Sequence, residues 1–412
     1  MCGIAGYWVI PGSQATSEME QAVRGMSHLL AHRGPDGEGV WTDAPAGVAF
    51  SHRRLSIVDL SPAGAQPMTS ADGRWVISYN GEIYNHQELR GLMNDHPWRG
   101  HSDAEVLLEL FARVGVDAAL AKVDGMFAIA LWDRREQVLH LLRDRYGEKP
   151  LYYCVTDGRC VFASELQAVQ SITGYDASID ARAVGAFLRY GCVPSPWSII
   201  SGVKKLPPGT RLTLRKPGDA AQPEVFWSTV QVATVARQER PAGEHLDALD
   251  ERLRVGVKGR LQADVPVAVF LSGGVDSSVV AAIAAATNPS QVRTFTVGFD
   301  VDGYDESPHA QALARHLGTE HVTERATAAD ALALATRVAD AYDEPFADSS
   351  QLPTLLLCRL ARRHVKVCLT GDGGDEMFGG YYRHHVLPRM AGTLGQMPSS
   401  LRHASASVIG LM

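Results

Sequence analysis

The chain has 412 residues, 45% of them hydrophobic and 21% charged, a balance ordinary for a folded globular protein and long enough for two or three domains. A formal net charge of −7 offers no basic domain or stripe for a nucleic acid. The six cysteines (Cys2, Cys154, Cys160, Cys192, Cys358, Cys368) form no Cys-x-x-Cys pair, no zinc spacing is present and no apolar run reaches about 18 residues, so a disulfide frame, a structural zinc and a membrane span are not expected. With no secretory leader pattern, the expectation is a cytoplasmic enzyme.

The chain opens Met1-Cys2-Gly3-Ile4-Ala5-Gly6. Removal of Met1 would leave a thiol and a free α-amine on one residue. With ordinary pKa values of about 8.5 for the thiol and about 7.7–8.0 for the amine, part of the amine is neutral near pH 7 and can take the thiol proton. The plain alternative is a chance cysteine in a frayed terminus. Gly3 and Gly6, however, bracket a short apolar strand from Ile4 that would hold Cys2 at a sheet end.

Short β-like runs follow up to about residue 170: 4–9, 47–51, 75–79, 126–133, 138–143, 151–156 and 160–163. Helices are expected over about 17–31 and 103–114, the second capped by Ser102 or Asp103 with Glu105 in its first turn. This mixture predicts strands stacked between helices. The runs 138–142 and 151–155 flank Asp144-Arg145-Tyr146-Gly147, which reads as a hairpin. On the turn after strand 75–79, the amide of Asn80 and the N–H of Gly81 can form an oxyanion hole. Arg54, ahead of Leu55-Ser56-Ile57-Val58, suits an α-carboxylate, and Glu82 with Asp103 can hold an ammonium. Singly, Arg54 reads equally as a surface charge and Asn80-Gly81 as a bare turn; together they describe a pocket for a free amino acid.

Proline and glycine punctuate 200–242, the expected boundary region. Helix and strand signals then alternate: helix 244–261, strand 265–271, helix 277–286, strand 293–299, helix 307–317, strand 320–322, helices 328–341 and 352–364, strand 365–370. Such alternation predicts βαβ units and a parallel sheet. The run Val267–Leu271 empties into Ser272-Gly273-Gly274-Val275-Asp276-Ser277-Ser278, whose turn amides and helix start make an anion cradle unlike the Walker A spacing. A second strand ends in Thr370-Gly371-Asp372-Gly373-Gly374-Asp375-Glu376. Its carboxylates, with Asp276, suit Mg²⁺, which binds through one or two carboxylates plus phosphate oxygens. A solvated acidic turn and an ordinary strand-to-helix turn are the bland readings. A third strand end, Thr296-Val297-Gly298, offers small residues where an adenine could lie.

These residues, in this order from Cys2 to about Tyr382, resemble the class II glutamine amidotransferases and, more closely, the glutamine-hydrolysing asparagine synthetase family. The resemblance implies an α/β two-domain chain: an N-terminal Ntn-hydrolase αββα sandwich over 1–205, a linker over 206–243, and a C-terminal parallel-sheet ATP-pyrophosphatase domain over 244–412 that reads as truncated. It implies Cys2 as glutaminase nucleophile and Asn80 and Gly81 as oxyanion hole, with Arg54, Ile57, Val58, Asn80, Gly81, Glu82 and Asp103 lining the glutamine pocket. Phe270, Leu271, Ser272, Gly273, Gly274, Asp276, Ser277, Val297, Thr370 and Gly371 would contact ATP or its pyrophosphate, and Asp276 and Asp375 would hold Mg²⁺. The implied reaction amidates aspartate with ammonia passed from glutamine through an internal tunnel, via β-aspartyl-AMP. Asp372 stands where many relatives have glutamate, as the carboxylate that relays a proton from ammonia. Relatives continue past residue 412 and supply a lysine there, so glutamine hydrolysis alone is one alternative; amidation of a sugar acid or peptide carboxylate, and a non-catalytic binding scaffold, are others. The segment 343–350 is expected to face the acceptor, the histidines to be structural or on the surface, and the assembly to be a homodimer.

Overall fold

A computed structural model describes residues 1–156, 158–173, 178–235, 241–288, 292–300 and 305–409. Part of the expected linker (236–240) and the last residues (410–412) lie outside the described residues. Two compact units are present: Met1–Pro266 with Ala328–Leu356, and Val267–Thr327 with Leu357–Met412.

The first unit contains two six-stranded antiparallel sheets. One runs in the order Lys204–Lys205, Tyr152–Thr156, Arg159–Ala163, Gly3–Val9, Val48–Arg54, Gly37–Asp43; the other runs Glu224–Val225, Thr210–Leu214, Val138–Arg143, Gly125–Asp133, Trp75–Ile83, Met68–Thr69. Side chains alternate across each strand with period two, so a strand covered on both faces reads as continuously apolar. Strand Gly125–Asp133 shows this: Ala128, Ala130 and Trp132 enter the cluster between the sheets, while Phe127, Ile129 and Leu131 face the outer cluster with Val106, Leu107 and Phe111 of the helix Asp103–Val114. On the far side, Ala5 and Tyr7 pack on Met19, Val23 and Met26 of the helix Thr16–Leu29. Helix, sheet, sheet, helix is the αββα sandwich of the Ntn hydrolases. Ser102 is the cap of the second helix, its Oγ accepting from Glu105 N at 3.2 Å.

The expected hairpin at 144–147 is corrected. Val138–Arg143 pairs with Gly125–Asp133 and Thr210–Leu214, whereas Tyr152–Thr156 pairs with Arg159–Ala163 in the other sheet. The connection is a crossover, pinned by the Asp144 carboxylate, which accepts N–H groups of Tyr146, Glu148 and Lys149 at 3.0 Å and of Phe127 at 3.2 Å. The punctuated stretch after residue 206 also contributes a strand, Thr210–Leu214, whose Leu212 and Leu214 are fully buried between the sheets.

The second unit has a four-stranded, wholly parallel sheet in the order Glu320–Ala326, Arg293–Phe299, Val267–Phe270, Val367–Leu369. Ala268, Phe295, Leu360, Ala361 and Val365 form its core. Val267–Phe270 lies between Arg293–Phe299 and Val367–Leu369, both of which follow it in the chain, so the chain winds first to one side of it and then to the other, the place where open α/β sheets bind ligands. This is the parallel sheet expected of an ATP-pyrophosphatase domain. The helix expected over 328–341 is interrupted, as Ala328–Ala335 and Val338–Ala341.

Candidate active site

Cys2 immediately precedes the strand Gly3–Val9, between two buried sheets. Its carbonyl accepts Arg33 Nε at 3.0 Å, and Arg33 is itself fixed to Glu165 at 2.8 Å. Its thiol lies against the Leu55 peptide, with Leu55 N donating to Sγ at 3.4 Å and Sγ 3.7 Å from Leu55 O. Burial raises the thiol pKa; the Leu55 peptide, the terminal amine and Arg54 act in the opposite sense. The neutral thiol therefore needs a nearby base before it is nucleophilic.

One pocket joins Cys2 with every residue expected to bind glutamine: Arg54, Ile57, Val58, Asn80, Gly81, Glu82 and Asp103. Asn80 is 1% exposed, and its Nδ2 has no hydrogen-bond partner among the described residues. A buried, unpaired donor costs about 1–3 kcal/mol; in a pocket wall beside a thiol, that donor is available to a developing oxyanion. Arg54 spends one N–H on Ser61 O at 2.9 Å and another on Asp59 O, which fixes the guanidinium plane. Asp59, at φ 55°, is buried and binds the main-chain N–H of Ser61 and His101 at 3.0 and 2.9 Å. Asp103 accepts Tyr79 Oη at 2.7 Å, Ile83 N at 3.0 Å and Ala104 N at 2.9 Å. Glu82 accepts no such donors, and burial, then Asp103, push its pKa up to about 8.

Sequence reasoning missed several pocket residues. His52, read as structural, is buried with Nε2 3.0 Å from Tyr79 O; burial takes its pKa down to about 4, so a neutral ring lines the wall. Gln66 accepts Tyr79 N at 2.8 Å. Lys149, which the sequence reading did not single out, also lines the pocket; the signal for it was a lysine beside a run of turn residues feeding an apolar strand.

In the second unit, the turn after Val267–Phe270 closes on itself. Ser272 Oγ and Ser277 Oγ are 3.0 Å apart, Gly274 N donates to Ser272 Oγ at 3.2 Å, and Gly273 takes φ 88°. Gly274 caps the helix Val275–Thr287, whose first turn holds Asp276 and the 7%-exposed Ser277. Leu271 is buried and donates to Phe295 O at 2.9 Å, while Phe270 packs its side chain on the core. Val297 stands near the end of the adjacent strand. Thr370 Oγ1 accepts Asp372 N at 3.2 Å, and Asp372 is exposed. The two loops touch: a Cβ on Gly371 would lie 2.8 Å from Ser277 N, and one on Gly374 would lie 2.4 Å from Asp276 Cγ. Asp276 thus abuts the residue before Asp375, whose own carboxylate turns toward Gly380. No three His, Cys, Asp or Glu side chains cluster as a metal cage among the described residues. Two carboxylates on adjoining loops nevertheless fit a cation that arrives with phosphate oxygens. Asp343 and Glu344 are engaged inside the first unit, with Leu166 N at 2.9 Å and with Lys205, respectively. No helix among the described residues is long and apolar enough to cross a membrane.

Comparison with known proteins agrees with this geometry. Residues 1–227 match the glutamine amidotransferase domain family, and residues 248–410 match asparagine synthase. Asparagine synthetase [glutamine-hydrolyzing] 1 of Bacillus subtilis is 33% identical over 416 residues, covering 100% of this chain and 64% of that protein. Putative asparagine synthetase [glutamine-hydrolyzing] 2 of Methanocaldococcus jannaschii is 33% identical over 405 residues, covering 93% and 76%. Amidase chry2 of Gibberella zeae is 33% identical over 426 residues, covering 92% and 59%. The chain therefore spans just under two thirds of the Bacillus relative's length, and it belongs to the glutamine-hydrolysing asparagine synthetase family.

Proposed function

We propose that the first unit hydrolyses glutamine at Cys2 and that the second uses ATP to activate the β-carboxylate of aspartate, which ammonia converts to asparagine. The observation that carries the glutaminase half is the unpartnered Asn80 Nδ2 in the same pocket wall as the Cys2 thiol. Once Met1 is removed, the Cys2 α-amine takes the thiol proton and Sγ bonds to the side-chain amide carbon. Asn80 and Gly81 donate to the resulting oxyanion. The ammonium returns its proton to the departing nitrogen, the C–N bond breaks, and ammonia leaves a γ-glutamyl thioester. Water, deprotonated by the same amine, cleaves the thioester to glutamate and restores the thiol. Arg54 would hold the substrate carboxylate and Glu82 with Asp103 its ammonium, while Ile57 and Val58 exclude water.

In the second half-reaction, an aspartate carboxylate oxygen bonds to the α-phosphorus of ATP and pyrophosphate leaves. Ammonia then attacks the acyl carbon and AMP leaves, with Asp372 taking the surplus proton. Ser272, Gly273, Gly274 and Ser277 would grip the pyrophosphate, and Phe270, Leu271, Val297, Thr370 and Gly371 the rest of the nucleotide. Mg²⁺, held by Asp276 and Asp375, would neutralise the leaving pyrophosphate. The only lysine in the second unit, Lys366, precedes the strand Val367–Leu369 at the end away from these loops, so the glutaminase half has the more direct support. A homodimer follows from the resemblance alone.

The test measures both halves. Glutamine hydrolysis is expected to vanish in Cys2→Ala and to fall by about 10²–10³ in kcat in Asn80→Ala. Pyrophosphate release from Mg-ATP with ammonia is expected to depend on aspartate. Hydrolysis surviving Cys2→Ala sinks the first half. Release that ignores aspartate but responds to another carboxylate replaces the acceptor.

A further inference from the structure

Lys149 is 7% exposed and lines the glutamine pocket with Cys2. Its main chain is held firmly: the N–H donates to Asp144 at 3.0 Å and the carbonyl accepts Arg143 Nε at 2.9 Å. Its ammonium, by contrast, has one hydrogen-bond partner among the described residues, the Met1 thioether at 3.3 Å. Sulfur is a weak acceptor. That partner belongs to the residue whose loss would free the Cys2 amine, so processing would remove the one hydrogen-bond partner that the ammonium has among the described residues. From ordinary bond lengths, Nζ lies within roughly 9 Å of the Cys2 nitrogen.

We propose that Lys149 is a positioning residue of the glutaminase reaction, acting through the terminal amine: its positive charge disfavours the protonated amine and keeps the base free to take the thiol proton. The inference rests on the reading of Cys2 as a processed nucleophile. The resting form that cannot react is thiol with ammonium, which adds a positive charge beside Lys149; the reactive thiolate–ammonium pair adds none. A neighbouring cation therefore penalises the idle form and leaves the reactive pair nearly untouched.

Other charges surround this pair. Burial lowers the Lys149 pKa from its ordinary value and Arg33, from beyond the first helix, acts in the same sense, whereas Glu148 and Asp144 from its own loop and Glu82 from the strand Trp75–Ile83 favour the ammonium. Cys2 is faced by Asp103 and Arg54. The Asp144 carboxylate is committed to four main-chain N–H groups. Burial raises the pKa of Glu82 and Glu148, which leaves the pocket short of formal negative charge near Lys149.

The experiment is the pH profile of glutaminase kcat/KM in the full chain and in Lys149→Gln, Lys149→Met and Lys149→Arg, beside an intact mass and Cys2→Ala. The acidic limb is expected to move up by about one pH unit in Lys149→Gln and Lys149→Met, and to stay in place in Lys149→Arg. An unmoved limb in both neutral variants overturns the proposal. So does an equal displacement in Lys149→Arg, which would mark a packing effect. If Met1 is retained in the mass of the active protein, or Cys2→Ala still hydrolyses glutamine, the Cys2 reading fails first and the two failures are distinguishable.

Discussion

Glu82 and Asp103 share one pocket and have opposite surroundings. Asp103 is satisfied by three donors, two from the strand Trp75–Ile83 and one from its own helix, whereas Glu82 is buried beside Asp103 with a pKa pushed up to about 8. A substrate ammonium entering next to Glu82 favours its ionised form, so binding expels a proton between the lowered pKa of the complex and about 8. Glutamine affinity is expected to rise from pH 6 to 8, by up to about tenfold per unit, and Glu82→Gln to flatten that slope in a calorimetric titration. Stability moves the other way. A carboxyl whose folded pKa lies above its ordinary value is protonated more readily in the folded chain, so the ligand-free protein loses stability as pH rises from about 4.5 through 8, and Glu82→Gln removes that loss. A wild-type slope in the variant would assign the titration elsewhere. The glutamine-binding residues were legible by type, although Asn80 and Gly81, expected on a turn, lie within the strand Trp75–Ile83 opposite Ala128 and Phe127; Lys149 was not, because its place depends on which sheet the crossover after Arg143 leads to.

That choice of sheet is decided at the scale of the element. The runs 138–142 and 151–155 carry turn residues between apolar strands, and local pattern favours a hairpin. Asp144 overrides it, since a carboxylate binding four main-chain N–H groups shapes a longer crossover. Arg143 adds donors to the carbonyls of Lys149, Leu206 and Gly147 at 2.9, 2.6 and 2.8 Å. Both strands are covered on two faces, so neither shows the alternation that would betray its partner. Asp144→Ala should destabilise the first unit by at least about 3 kcal/mol, since several N–H groups lose their acceptor together. Denaturant unfolding monitored by the tryptophans, all of which the first unit holds, measures it. A loss below about 1 kcal/mol would mean that water replaces the carboxylate and that the crossover is held by Arg143.

At the scale of the whole molecule, alternation of helix and strand announced a parallel sheet in the second half, and that sheet is present. Its strand order was not legible, because order is fixed by which helices cover which face and not by any one strand. The order matters here: the change of side at Val267–Phe270 brings the loops 271–274 and 370–374 together, and glycine at 374 lets them meet. An alanine there would set its Cβ 2.4 Å from Asp276 Cγ, and Asp276 cannot retreat without leaving the helix start that orients it. Overpacking of this kind costs about 1–3 kcal/mol, so Gly374→Ala is expected to weaken Mg-ATP binding about tenfold or more in calorimetry. Gly392→Ala, in the helix Tyr382–Gln396 where a Cβ meets nothing within 4 Å, serves as the neutral control. Glutamine hydrolysis should stay within about twofold of wild type in both, because its pocket is built wholly from the first unit. Unchanged nucleotide binding in Gly374→Ala would place ATP away from the junction of these loops, and with it the assignments of Asp276 and Asp375.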